Sequence, residues 1–418
     1  MPPIFLPETL VPPQTKTPAK SEAKRSIDYE GHAMRAAGST GRRYLAPTPA
    51  WVLGLAGLAL MVSACATPVG IKHVDIQTAY RQQTESALSA RQPSDPSKTV
   101  LRRLGLMDRF DEDPAAVLGR LHAGLQPTGD DDRLFALAEL SFLHAQRSGD
   151  RSHYLASAVY AWALLFPGGA GDAAGARLPR SDPRLRMAYD LYNQAVAQGL
   201  TEPRAPGDAS AGAPGATSGG PDEVRLSAGE YKLPFGTLQV TMDESGLTWG
   251  GYRLEHLVPT TTLEIRGLRN HYRRPGLGAS LAASLTPGKA SNEVGAERIP
   301  PRVKVAVTAV LRLDGARASL AGGQVRGHLE VYAVDQAATV TVDGQAQPLA
   351  FDPTAALAYT LDKNPLYAVE IAAFLRGGAL GRMMPSDRAQ DGLYMLAPYR
   401  PGEIPVVLVH GTLSSPVR

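Results

Sequence analysis

The residues best placed to do chemistry lie in the segment Ile404 to Arg418, IPVVLVHGTLSSPVR. Pro405 to Val409 is an unbroken apolar run, too short for a helix and rich in Val. That is the pattern of a strand covered on both faces, as in a parallel sheet. His410-Gly411 closes the run, and Gly permits the close backbone approach that a sharp turn needs. Ser414, Ser415 and Pro416 follow in the order of an N-cap and a first helical turn. Strand, tight turn and helix start make the first half of a βαβ unit. The N–H groups of such a turn face the carboxyl end of the sheet, where an anion can be held.

The second candidate is Cys65, the single cysteine. One cysteine permits no intramolecular disulfide, no Cys-based zinc site and no iron–sulfur cluster. Before it, Trp51 to Val62 is an apolar run preceded by Arg42 and Arg43. The run is too short to span a bilayer and suits a signal-peptide core. Val62-Ser63-Ala64-Cys65 resembles a bacterial lipobox, which implies that Cys65 is lipidated and becomes the mature N-terminus. Acyl chains contribute about 0.8 kcal/mol per buried methylene, and two or more hold a protein stably on a membrane. Ala66, in place of an Asp, resembles lipoproteins sent to the outer rather than the inner membrane. Arg42-Arg43-Tyr44-Leu45 has only a two-residue likeness to a twin-arginine signal. Residues 1–50 lack periodicity and are rich in Pro, Lys and Glu toward the start, so they are read as disordered or overcalled. Met34 is a more natural initiator than Met1, because it brings the Arg pair near the N-terminus.

The longer segment GLYMLAPYRPGEIPVVLVHGTLSSP, Gly392 to Pro416, resembles the start of an α/β-hydrolase domain. By that resemblance His410 and Gly411 are the family's His-Gly pair, and Thr412 donates a backbone N–H to the oxyanion hole. The chain departs from the family in having no G-x-S-x-G. Its nearest approach, Gly278-Ala279-Ser280-Leu281-Ala282, lacks the second Gly and falls in a stretch that looks like loop. Family order places the nucleophile Ser, the acid and the His after the oxyanion loop, hence beyond Arg418. The expectation is a truncated product or fragment of a serine esterase or lipase, with no catalytic residue in this chain.

Other chemistry is sparse. Nine histidines are scattered without H-x-x-x-H or H-E-x-x-H spacing, so no metal or other cofactor is expected. A formal charge of +3 without a basic block excludes a nucleic-acid footprint. His256, Arg269, Asn270, His271, Arg273 and Arg274, beside Tyr252 and Tyr272, form a cationic cluster in sequence. It suits lipid headgroups or an anionic substrate, against the plainer reading of a solvated loop. Asp130-Asp131-Asp132 is read as acids at a helix N-terminus.

The elements that must position these residues follow from periodicity. Residues 51–65 are the signal peptide and lipobox, and residues 74–200 a helical module. Within it Ile76, Tyr80, Thr84 and Leu88 step by four, while Asp113-Pro114 and Asp182-Pro183 start helices. Residues 132–169 make two nearly all-apolar helices joined at Ser148–Arg151, an αα-hairpin. Residues 201–222, of Gly, Pro, Ala and Ser, are a flexible linker. From 223 to 350 the period becomes two and predicts half-buried antiparallel strands. Leu238, Val240 and Met242 share one face of one of them. Val303 to Leu313 forms another, with Lys304, Thr308 and Arg312 on its open face. Asp343-Gly344 marks a hairpin. Residues 351–418 begin the hydrolase portion, with a helix over Leu366–Leu375.

The fold class is thus α+β: a helical module, an antiparallel β region, then the first strands of an incomplete α/β-hydrolase sheet. The function expected is a lipoprotein of the bacterial cell envelope, held on the membrane by lipid on Cys65, with an ester or lipid substrate in the complete protein. The alternative is a non-catalytic envelope lipoprotein that binds a partner through its helical and β modules.

Overall fold

Five of the described helices start on an aspartate whose carboxylate accepts a first-turn N–H. After α1 (Ile76–Gln83), α2 (Asp95–Arg103) and α3 (Met107–Glu112), α4 runs Pro114–Ala123. The Asp113 carboxylate accepts the Ala116 N–H at 3.0 Å, and Pro114 supplies a first residue that needs no partner for its nitrogen. The hairpin of α5 (Asp131–Ser148) and α6 (Arg151–Leu165) turns at Gly149, whose φ of 75° is left-handed. α7 (Pro183–Gly199) repeats the Asp-Pro start, with Asp182 accepting from Arg184 N at 2.9 Å. The four-residue stepping at the beginning of the module is only partly realised. α1 stops at Gln83, Thr84 caps it, and Ile76 and Tyr80 are exposed, so this helix buries nothing.

The structure is a computed structural model describing residues 69–126, 129–168, 178–202, 222–288, 299, 303–362, 404 and 406–407. Cys65, the signal-peptide run, the Leu366–Leu375 helix, and His410, Gly411 and Thr412 lie outside the described residues. From Val74 onward the described residues form one unit, and most of its helices and strands share one hydrophobic core, beside a small second cluster of Ala282, Ala306 and Ala356.

The strands are β1 (Thr201–Glu202), β2 (Glu223–Val224), β3 (Gly229–Leu233), β4 (Gly236–Met242), β5 (Thr248–Trp249), β6 (Tyr252–Pro259), β7 (Ala279–Pro287), β8 (Lys304–Asp314), β9 (Gln324–Ala333), β10 (Thr339–Val342) and β11 (Gln345–Pro348). α8 (Ala316–Gly322) joins β8 to β9, and α9 (Pro353–Leu361) follows β11. Nine strands form one sheet in the order β1-β2-β6-β7-β8-β9-β4-β3, with β5 beside β6. β10 and β11 pair separately through Asp343-Gly344, both at positive φ, the geometry of the expected hairpin. The class is α+β. The sheet is not wholly antiparallel: β4 runs parallel to β9, from Thr237↔Gln324 to Met242↔Leu329. One parallel pair does not make a hydrolase sheet, and Ile404, Val406 and Val407 are exposed and belong to no strand.

Two strand readings need correction. β8 is covered on both faces rather than half-buried: Thr308 is fully buried along with Ala306 and Val310. Its second face is covered by α9, where Ala282, Ala306 and Ala356 pack together, small residues that let the helix come close. The Gly278–Ala282 stretch is not loop either, since Ala279 onward is β7, paired on both sides.

Two buried polar anchors tie distant elements. Glu139 of α5, wholly buried, accepts from Ala87 N and Ser94 N on one oxygen and from Ser94 Oγ and Ser97 Oγ on the other, at 2.5–3.0 Å. Burial pushes its carboxyl above the usual range, and these hydrogen bonds oppose that shift. Tyr192 of α7, also wholly buried, donates its hydroxyl to Leu311 O at 2.8 Å and accepts Leu311 N–H at 2.9 Å. The β7–β8 ladder ends at Ala279↔Ala309, so the phenol oxygen stands where the next β7 residue would bond.

Candidate functional site

The segment 263–275 leaves β6 and returns to β7 along the surface, and it is held at several points. Arg274 and Phe351 exchange two backbone hydrogen bonds, 2.8 and 3.0 Å, and Leu277 N donates to Pro348 O at 2.7 Å. Gly276 is required there, because a Cβ would stand 2.3 Å from Pro348 O. From α7, Asn193 Nδ2 donates to Gly276 O at 2.8 Å, and its Oδ1 accepts Gly278 N–H at 2.6 Å.

This fastening brings together residues far apart in sequence. Asp352, buried at the N-terminus of α9, accepts Ala355 N–H and also faces His271, whose Nε2 lies 3.0 and 2.9 Å from its two oxygens. The carboxylate can only accept, so Nε2 carries the proton and Nδ1 is left as the other ring nitrogen. The imidazole is half exposed. Thr354 Oγ1 accepts Tyr272 N–H at 2.8 Å, and the Arg274 guanidinium lies over the Phe351 ring at 5.4 Å. Arg269, Arg273 and Arg274 are exposed and have no carboxylate partner among the described residues.

Not all of the cationic cluster expected from sequence is assembled. His256 belongs elsewhere: it sits at the bulge in β6 with φ of 48° and pairs with Glu223 of β2 at 2.9 Å. Tyr252 stands at the start of β6. Asp130, Asp131 and Asp132 are at the head of α5 as expected, paired with Arg133, Arg317 and Arg184 respectively.

An Asp–His pair suits a general base when a hydroxyl lies within reach. Here His271 bonds no hydroxyl among the described residues. Ser280 is buried in β7, and its Oγ accepts instead from Thr260 at 3.0 Å. The recess nearest these groups, lined by Asn193, Thr261, Arg273 and Ser280 among others, holds about 20 Å³, room for a single water. A larger recess of about 360 Å³ lies between Asp150, Arg151, Leu155, Tyr231 and Lys232. It is open, and Arg151 within it is already engaged, donating to Gly199 O at 3.3 Å.

A separate titratable group spans the α5–α6 hairpin. His144 and His153 stand edge-on with ring centroids 4.4 Å apart, and Asp150 lies 4.0 Å from His153 Nε2. His153 Nδ1 is buried without a hydrogen-bond partner among the described residues. Burial holds both imidazoles below the ordinary histidine value, and for His153 the neighbouring His144 adds to it. Among the described residues no three His, Cys, Asp or Glu side chains are placed to hold a metal ion, and no helix is long and apolar enough to cross a membrane.

The His271–Asp352 pair spans 81 positions, so only its halves are visible in the sequence: a histidine in a cationic run, and an Asp-Pro helix start. Comparison with protein-family models, with curated proteins and with solved structures finds no match for this chain.

Proposed function

We propose that this chain belongs to a lipid-anchored protein of the bacterial cell envelope with a serine-hydrolase activity of the esterase or lipase class. In this reading residues 74–362 form a non-catalytic unit between the anchor at Cys65 and a hydrolase portion entered at Ile404. The observation that carries it is the order of two short motifs in one sequence, Val62–Cys65 and Pro405–Ser415. Thr412 N–H, with the His410-Gly411 turn shaping its loop, would meet the negative charge that develops on an ester carbonyl oxygen. Such a donor matters because it is aimed at the tetrahedral oxyanion rather than at the ground state. The nucleophile, acid and base would follow in family order after the loop.

Two labels test the two halves of the reading. A fatty-acid label should enter the wild-type chain and not Cys65→Ala, and equal labelling of both removes the anchor. A serine-directed phosphonate should mark the protein as its native cell makes it. If that protein takes no phosphonate, the hydrolase half is wrong.

The second reading is a non-catalytic envelope lipoprotein that binds a partner. It is favoured by the site itself: a recess with room for one water beside an exposed cationic loop suits contact with a surface better than enclosure of a substrate.

A further inference from the structure

We propose that the loop Arg269–Arg274, with Tyr272 and Leu357, is the face through which the unit rests on anionic phospholipid. The proposal deepens the lipid-anchor reading, since that anchor would put the unit beside a bilayer.

Three observations carry it. First, Arg269, Arg273 and Arg274 fall within six residues, all exposed, and none pairs with a carboxylate among the described residues. Some exposed arginines of this unit do find an acid, such as Arg253 with Glu255, Arg266 with Glu264 and Arg225 with Glu202, and these three do not. Guanidinium groups recognise phosphate through paired N–H donors, so three of them left unpaired make a surface complementary to phosphodiester headgroups.

Second, two large apolar side chains are exposed at the same place. Tyr272 is 69% exposed and Leu357 47%. Tyr272 is bonded through its backbone to Thr354, and Leu357 lies three residues further on, on the same face of α9. Tyrosine suits the headgroup level, where its ring meets apolar material and its hydroxyl stays wet.

Third, the loop is held in place before any ligand arrives. The Arg274–Phe351 and Leu277–Pro348 hydrogen bonds, the His271–Asp352 pair and the Tyr272–Thr354 contact fix its backbone against α9. Docking then loses little entropy in ordering the loop. The acids close by are Asp352, which faces His271, Glu264, which faces Arg266, Asp362, whose charge also acts on Arg266, and Asp190, which lines a recess with Arg273 and pairs with Arg186. None of the four forms an ion pair with Arg269, Arg273 or Arg274 among the described residues.

The test uses the full chain as Cys65→Ala, so that acylation cannot contribute, sedimented with vesicles of phosphatidylcholine with and without phosphatidylglycerol. The apolar run 51–62 is common to every variant, so differences between variants report the loop. The expected result is preference for the anionic vesicles, weakened roughly fivefold for each of Arg269→Gln, Arg273→Gln and Arg274→Gln, and lost in high salt. Tyr272→Ala should weaken binding without changing its salt dependence. Equal partition into both vesicles, or an Arg269→Gln/Arg273→Gln chain that binds as tightly as its parent, overturns the proposal. Release by dilute inorganic phosphate also overturns it, pointing instead to a site for a small free anion. Because the chain sedimented lacks Cys65, a failed acyl label on the wild type would remove the anchor and leave vesicle binding by the loop as it was.

Discussion

Replacing Tyr192 by Phe removes one oxygen from the molecule and leaves the ring. That ring is wholly buried against Trp162, with centroids 5.4 Å apart, so no cavity is made and the apolar contribution stays. What is lost is the partner of two main-chain groups, Leu311 N–H and Leu311 C=O, at 2.9 and 2.8 Å. Both point to the side of β8 where β7 has already ended, so no strand replaces the phenol. A buried polar group left unsatisfied costs about 1–3 kcal/mol. Two of them together make a loss of roughly 3 kcal/mol, toward the upper end of ordinary point substitutions. Denaturant unfolding should show a lower midpoint at unchanged slope, and Tm should fall by roughly 5–10 °C. Hydrogen exchange localises the effect: the Leu311 amide should exchange faster, while that of Val310, on the β9 side, keeps its protection. A Tyr192→Phe chain within about 0.5 kcal/mol of wild type, with Leu311 still protected, would refute the reasoning, because the hydroxyl would then not be completing the sheet.

Four further outcomes are expected. Glu139→Gln should cost little, since an amide can accept from Ala87 and Ser94 N–H and donate to the two hydroxyls; Glu139→Ala orphans four donors and should cost several-fold more, roughly 3 kcal/mol or above, in the same unfolding assay. The lowered values of His144 and His153 mean that the unfolded chain binds protons first as pH falls, so stability is full above about 6.5 and declines below it. A His144→Gln/His153→Leu chain should show a flatter pH profile over that window, and an unchanged slope counts against the pair. Residues 66–418 should cleave no ester above background, and phosphonate-sensitive hydrolysis by that purified chain would contradict the expectation. Deleting residues 404–418 should raise solubility and leave the upstream helices intact by circular dichroism, because Ile404 and Val406 are 90% and 81% exposed. Strong amide protection at Val406 in the monomer would count against it.

What the sequence disclosed was local. Asp113-Pro114, Asp182-Pro183 and Asp343-Gly344 each act within a few residues, and each element begins or turns where its side chains dictate. What it concealed depends on neighbours. β7 is built from Ala, Ser and Leu with little β-branching, so its strand character comes from β6 and β8 on either side. Thr308 looks like an open-face residue until Ala350, 42 positions later, offers its carbonyl to the buried hydroxyl. The parallel β4–β9 pair carries no local mark, and the Asp352–His271 contact joins two ordinary residues across the sheet end. A tyrosine on an apolar helix face likewise gives no sign that its hydroxyl completes a strand.

The long reach of these contacts bears on how the chain acquires its structure. α5 and α6 close on each other through the turn at Gly149, α7 follows within the same stretch of sequence, and the three can form as soon as they are made. The sheet that covers them cannot: Tyr192 waits for Leu311, a separation of 119 residues, and β4 waits for β9. During vectorial synthesis the aromatic face of Trp162, Phe166 and Tyr192 is therefore solvent-facing until β8 arrives. Such a high-contact-order assembly folds slowly and shows sticky surface meanwhile. The demand on a holding chaperone is set by this topology, and it should fall in a circular permutant whose chain begins at β7.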